Sequence, residues 1–343
     1  MTHRKECTAH PIVIAAADVP ISPGMPVTRR QFTKLALAAL PASGLFSAVQ
    51  SLAAAEAASA SPGKPNSKVA GVQIGLNVPY SFANASMSGD DILRNCVQLG
   101  LSAVELRTQP VEAFLGAPAL RGNAKNVPPA EAAAHATALA QWRGAVSMDG
   151  VQPFRKKYED AGVLIEVVKV DGIFKMSEAE LNYVFSLAKA LGGRAISTEI
   201  SNKEDDLKRL GQFADKHELM VGYHGHAATK PEHWEKAFSL AKHNGANVDL
   251  GHFVAGNNTS PVPFIKEHHA RITHVHVKDR KMHNGANTPF GEGETPIVEV
   301  LRLIRDNKWN IQATIEFEYK IPPGSDRMTE LARAIRYCRE ALA

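Results

Sequence analysis

The sequence predicts an α/β protein, a single (β/α)8 TIM barrel, and three observations carry that expectation. From about Lys68 to the C-terminus one rhythm repeats eight times: an apolar strand, a polar turn and an amphipathic helix. Strict alternation of this kind closes a parallel sheet on itself with the helices outside. The length of 343 residues holds one such barrel, roughly 250 residues in the usual case, with a leader in front of it. Finally, ionisable residues collect at the C-terminal ends of strands two to eight, the rim on which barrels of this type build their sites. A doubly wound parallel sheet is the architectural alternative.

Taken in order, strands are expected at Val69–Leu76, Ala103–Arg107, Leu164–Val170, Ala195–Glu199, Leu219–His224, Ala246–Leu250, Ile272–Val277 and Gln312–Phe317. Helices are expected near 90–99, 129–143, 177–191, 204–217, 231–243, 261–269, 295–307 and 326–341. Ser177 with Glu180 forms the pattern of a capping box, Gly100 and Gly192 stand at helix exits, and Pro231 suits a first turn. The stretch from Thr108 to Gly162 is longer than one βα unit needs and reads as an elaborated second helical connection within the same domain.

Residues 1–60 read as a leader, 61–67 as a linker and 68–343 as the barrel. The leader carries Thr28-Arg29-Arg30-Gln31-Phe32-Thr33-Lys34 ahead of a short alanine-rich apolar run, which resembles a twin-arginine (Tat) export signal. The run is broken by Pro41 and Gly44 and is too short to span a bilayer. AEAASA offers small-residue cleavage sites, and Met25 offers a later start just before the signal. The expected location is therefore the periplasm, with transient contact to the Tat machinery and no stable membrane association once the signal is removed. Residues 1–60 hold five Lys/Arg and three Asp/Glu, which lowers the chain totals of 39 and 35 to 34 and 32. A near-neutral protein with no basic run has no nucleic-acid footprint. Cys96 and Cys338 remain, without the spacing of a zinc site. Both fit apolar helix faces and are expected to pack in the core. The first and last helices of a barrel are neighbours, so a disulfide between them stays open.

Alternation along the strands decides which polar residues point inward. In AISTEI, Ser197 and Glu199 oppose the apolar face, and in ATIEFEY, Thr314, Glu316 and Glu318 do. Asp249 faces in between Val248 and Leu250, and in ITHVHVKDR the inward face reads Ile272, His274, His276, Lys278. Glu199, Asp249, His276 and Glu316 thus converge from four strands. Burying three carboxylates and an imidazole together is costly unless a cation neutralises them. A hard, mostly oxygen site suits one divalent metal, Mn²⁺, Mg²⁺ or Co²⁺. Glu318 shares the parity of Glu316 and is the alternate ligand.

These residues resemble the xylose isomerase-like barrels known as sugar phosphate isomerases/epimerases, over about Lys68 to Ala343. The resemblance rests on YHGH (similar to the family's YHNH), DLGH, HVHVKDR, GEGETPI and IEFEY in that order. In detail it is similar to the keto-sugar 3-epimerase and inosose dehydratase branches, whose metal ligands fall here on Glu199, Asp249, His276 and Glu316. The resemblance implies that Glu199 and Glu316 also serve as acid and base, and that His224, His252 and Lys278 touch substrate, with Glu105 added at the end of strand two. No glycine-rich phosphate loop is present, and an exported enzyme meets mainly unphosphorylated sugars.

The expected function is a metal-dependent isomerase or epimerase acting on an unphosphorylated keto sugar through an enediolate. The alternative is a lyase or dehydratase that eliminates from a 3-keto-glycoside by the same intermediate. A non-catalytic periplasmic sugar-binding protein is the reading from a different class. The endonuclease branch of the family would need a three-metal cluster and a basic groove, which the charge balance argues against.

Overall fold

In the barrel strands apolar side chains face the helices while polar ones face the axis, and this alternation shapes the molecule. A computed structural model describes residues 63–120 and 127–343. The leader, residues 1–60, and the start of the linker lie outside the described residues. Among the described residues, eight parallel strands close into a barrel: β1 Val72–Val78, β2 Ala103–Arg107, β3 Leu164–Lys169, β4 Ala195–Glu199, β5 Met220–His224, β6 Asn244–Asp249, β7 Ile272–Val277 and β8 Gln312–Ile315. Closure runs through β1, which pairs with β8 (Thr314 beside Gly75) and with β2 (Asn77 beside Glu105).

Around this barrel lie α1 Gly89–Gln98, α2 Thr108–Phe114, α3 Pro129–Ala145, α4 Val151–Asp160, α5 Glu178–Ala190, α6 Glu204–His217, α7 Pro231–Leu240, α8 Leu250–Asn257, α9 Val262–His268, α10 Ile297–Asp306 and α11 Arg327–Leu342. The core lies between the two layers. Ile74, Leu76, Val104, Leu106, Ile196, Val248 and Val275 from the strands meet Ile92, Val184, Leu207, Leu301 and Leu331 from the helices, all buried. Burial of each such side chain contributes about 1.5–3 kcal/mol before chain entropy is counted. Cys96 and Cys338 are part of this core, and both are free thiols. None of the described helices is long and apolar enough to cross a membrane.

The expected elements need four corrections. The first barrel strand begins at Val72 because Lys68–Val69 folds back antiparallel onto it, through Ala70 and Gly71 at positive φ. Leu250 leaves the sixth strand for α8, since the Asp249 carboxylate accepts the His252 N–H and caps the helix. The eighth strand stops at Ile315, so Glu316 stands just past its ladder. The long second connection contains α2, α3 and α4, of which α2 and α4 were not foreseen as separate helices.

The axis of the barrel is polar as well as packed. Asn247 Nδ2 reaches Ser197 Oγ at 3.4 Å and Gln312 Nε2 reaches Thr314 Oγ1 at 2.9 Å. Along β7, Ala246 faces Ile272 but Asn247 faces His274, leaving Thr273 as a bulge. Its hydroxyl donates to the Ala246 carbonyl (3.1 Å) and lies 2.8 Å from His274 Nδ1, tying the bulge to the buried histidine row.

Candidate metal centre and active site

Four strand ends deliver the centre of the site. His224 ends β5, Asp249 ends β6, His276 lies one residue before the end of β7, and Glu316 follows β8. Each of these residues offers one ligand atom, and the four atoms lie within 4.8 Å of one another. Asp249 uses Oδ1 to cap α8, which turns Oδ2 toward His224 Nε2 at 3.3 Å and His276 Nδ1 at 3.8 Å. Glu316 is held by the buried Asn77, whose amide donates to Oε1 at 2.8 Å, while Oε2 faces His276 Nδ1 at 3.3 Å.

The chemistry of this donor set fits a divalent cation. His276 Nδ1 is buried without a hydrogen-bond partner, and it faces both carboxylates. The other ring nitrogen, Nε2, lies 2.5 Å from Glu105, an arrangement that holds an imidazole with Nδ1 toward a metal. Burial opposes charge on His276, but Glu105 and Glu316 outweigh it and lift the ring to about 10. Burial likewise opposes charge on Asp249 and Glu316, yet Lys278 holds both carboxyls below the ordinary carboxylate range. The Lys278 ammonium sits 3.0 Å from Asp249, 2.5 Å from Glu316 and 2.6 Å from Glu318. A positive charge at this spot is what the carboxylates require.

Of the four expected ligands, Asp249, His276 and Glu316 come together and Glu199 stands apart. The fourth position of the cluster is taken by His224, expected as a substrate contact. The register explains the exchange: Glu199 lies beside His224 in the β4–β5 ladder, so the imidazole is interposed between Glu199 and Asp249. Glu199 contacts Lys169 Nζ at 2.6 Å, His224 Nδ1 at 3.1 Å and His226 Nε2 at 2.7 Å, and is 47% exposed. Burial raises its carboxyl pKa, but the His224 and His226 contacts and the Lys169 charge take it well below the ordinary range.

Glu318 lies outside the four, accepting from Tyr80 Oη at 2.7 Å and from Lys278 at 2.6 Å. His252 sits at the rim. Its Nδ1 is 2.6 Å from Arg280, its Nε2 is 3.9 Å from Glu318, and burial draws its pKa down to about 4. Glu105 is expected from the sequence to touch substrate. It is fully buried below the cluster, between His276 and His274, where its carboxylate is screened from the mouth.

Sequence reasoning named no role for Asn77, Lys169 or His226. Alternation with Gly75 would have pointed Asn77 inward, and the i, i+2 spacing of YHGH would have placed His226 beside His224 at the rim. Gly225 between them is explained by Trp234, whose ring occupies the space a side chain would need and whose indole N–H donates to the Tyr223 carbonyl at 2.7 Å. On the β8–β1–β2–β3 side of the mouth lies a cavity of about 740 Å³, lined by Tyr80, Arg107, Asp171, Asn287, Glu318 and Arg327 among others.

Comparison with known proteins finds the same barrel fold in other chains. Residues 181–341 match the family model described as xylose isomerase-like TIM barrel. An inosose dehydratase of Clostridium botulinum is 30% identical, in a match covering 33% of this chain and 45% of that protein. The match therefore spans less than half of the curated relative. Among solved structures, a probable 3-DHS dehydratase of Bacillus anthracis superposes with a TM-score of 0.54 at 14% identity, covering 77% of this chain and 98% of that one. A 3-keto-D-glucoside 4-epimerase of E. coli does so with a TM-score of 0.52 at 12% identity, covering 78% and 98%. At these identities the solved structures speak for the fold alone.

Proposed function

We propose that the protein is a divalent-metal-dependent enzyme acting on an unphosphorylated keto sugar or sugar derivative, with isomerisation or epimerisation as its reaction. The carrying observation is the buried convergence of His224, Asp249, His276 and Glu316 at the C-terminal rim, with His276 Nδ1 unpartnered and aimed at both carboxylates. These four residues would hold the cation. Two imidazoles and two carboxylates suit Mn²⁺ or Co²⁺ better than Mg²⁺, which favours oxygen ligands. When bound, the cation supplies Lewis acidity that lowers the cost of an enediolate.

The protein's own groups then do the proton work. Glu199 is ionised, half-exposed and outside the four, so it is free to take a proton from carbon next to the carbonyl. His224 and Lys169 hold its carboxylate in place. Lys278 lies where negative charge on a substrate oxygen would develop. Glu316 is the candidate for returning a proton on the other face.

Elimination is the second reading, favoured by His226 and by the name of one curated relative. His226 is 59% exposed, and its contact with Glu199 raises its pKa above the ordinary histidine value. It could therefore deliver a proton to a departing oxygen. The inosose dehydratase carries a dehydratase name. Export to the periplasm, a small-molecule sugar as sole partner and the absence of nucleic-acid binding belong to the same proposal, argued from the leader and the charge balance.

Incubation with keto-glycosides in D₂O tests the reading. Deuterium uptake with the glycosidic bond intact is the expected result for isomerisation, and aglycone release would favour elimination. If chelator-treated protein binds sugar but regains no turnover with Mn²⁺ or Co²⁺, the protein is a binding module and the enzyme reading falls.

A further inference from the structure

We propose that Lys278 is an internal competitor of the cation, its ammonium drawing on the same carboxylate oxygens, with Glu318 as the partner it falls back on. Lys278 thereby holds the metal affinity of the cluster down. The proposal rests on the metal-centre reading above and adds how that centre is tuned.

The first observation is which atoms the ammonium touches. Lys278 Nζ lies 3.0 Å from Asp249 Oδ2 and 2.5 Å from Glu316 Oε2. Those same two oxygens face His276 Nδ1, and Asp249 Oδ2 also faces His224 Nε2. The other oxygen of each carboxylate is already engaged, Asp249 Oδ1 by the His252 N–H and Glu316 Oε1 by the Asn77 amide. Lysine and cation are thus directed to one pair of atoms. Two positive centres so close together repel, and most strongly where water is excluded.

The position of the lysine is built into the fold. Lys278 directly follows β7, and its side chain is 2% exposed. Its stem passes Gly251 in the first turn of α8, where a Cβ would come within 2.5 Å of Lys278 Cγ. The glycine of DLGH therefore keeps open the path by which the ammonium reaches the carboxylates. Beside three carboxylates an ammonium keeps its proton.

Glu318 is the third partner, and it lies outside the four-residue cluster. Its Oε2 accepts from Lys278 at 2.6 Å, while Tyr80 Oη donates to its Oε1 at 2.7 Å and fixes the carboxylate. The ammonium keeps this partner when Asp249 and Glu316 are engaged elsewhere. Charge fits the same arrangement. Three carboxylates against one ammonium leave two negative charges, which one divalent cation cancels when the imidazoles are neutral ligands.

Calorimetric titration of the metal-stripped full chain with Mn²⁺ tests this in the wild type, Lys278→Met, Glu318→Gln and the double variant. Lys278→Met should bind Mn²⁺ at least about tenfold tighter, because a competing charge is gone. Glu318→Gln should bind about tenfold more weakly, because the ammonium is left with Asp249 and Glu316 alone. In the Lys278→Met background the same Glu318→Gln change should alter affinity by less than about twofold, since it acts through the lysine. Unchanged or weaker binding by Lys278→Met would make the lysine a brace for the ligands and overturn the proposal. A Glu318→Gln loss that persists in the double variant would make Glu318 a ligand and overturn it too. If circular dichroism shows Lys278→Met unfolded, the double variant is compared with Glu318→Gln instead. The lysine-free protein should again be at least about tenfold tighter, and equal affinity overturns the proposal. A wild type that binds no Mn²⁺ removes the metal centre and this inference together. Binding that is indifferent to Lys278 removes the inference and leaves the metal centre standing.

Discussion

His276 shows how one side chain is committed from both ends. Glu105 takes Nε2 and leaves Nδ1 for the cluster, so the ring's orientation is set before any ligand arrives. Replacing Glu105 by Ala should weaken Mn²⁺ binding by about 10–100-fold, measured by calorimetry. The Co²⁺ d–d spectrum, if altered as well, would locate the change at the ligand sphere. Glu199 and Asp249 should separate cleanly. Asp249→Asn removes a cluster carboxylate and should abolish metal uptake. Glu199→Gln should keep the metal and lose turnover by about 10²–10⁴-fold, the usual contribution of a positioned base. Loss of metal from Glu199→Gln would return that residue to the ligand set expected from sequence. Strand parity was enough to gather Asp249, His276 and Glu316. It could not give the position of His224 between Glu199 and Asp249, because both Glu199 and His224 point inward and only the geometry of neighbouring strands decides which side chain comes between.

At the scale of elements, two contacts hold the rim and the insertion in place. Gly225 lets the Trp234 ring of α7 pack against the strand end that carries His224 and the loop that carries His226. Gly225→Ala should cost about 1–3 kcal/mol through overpacking and reduce metal affinity along with stability, read from denaturant melts and calorimetry. Helix α3 has no buried residue and is tied down by Arg143, which reaches Glu112 on α2 at 2.8 Å and Glu180 on α5 at 3.2 Å. Burial opposes the Glu180 charge, but Ser177 at the helix cap and Arg143 outweigh it and hold its pKa below the ordinary 4.5. A depressed folded-state carboxyl contributes stability that is present above that ordinary value and is lost as pH falls through the folded one. Arg143→Ala should therefore cost about 2 kcal/mol in melts at pH 7, and the difference from wild type should shrink below about pH 4.5. Equal differences at both pH values would mean that Arg143 acts through packing alone. The capping box of α5 was legible from Ser177 and Glu180. The clamp on α3 was not, because Glu112, Arg143 and Glu180 are far apart in the chain.

At the scale of the molecule, the barrel brings the ends of four strands around one point, so a cation there links many elements at once. Mn²⁺ at about 100 times its Kd should add about 2.7 kcal/mol and raise the Tm by about 5 °C, and a chelator should reverse it. An unchanged Tm would mean that the cluster binds no cation in the folded state. The alternation of strands and helices, the inward parity and the polar strand ends were all determined by the sequence itself, because side-chain periodicity is a local property of the backbone. Strand register, the fold-back of Lys68–Val69, the placement of His224 between two carboxylates and the cavity beside Glu318 were decided only by tertiary structure. Each depends on distances between segments far apart in the chain, and no local pattern encodes those.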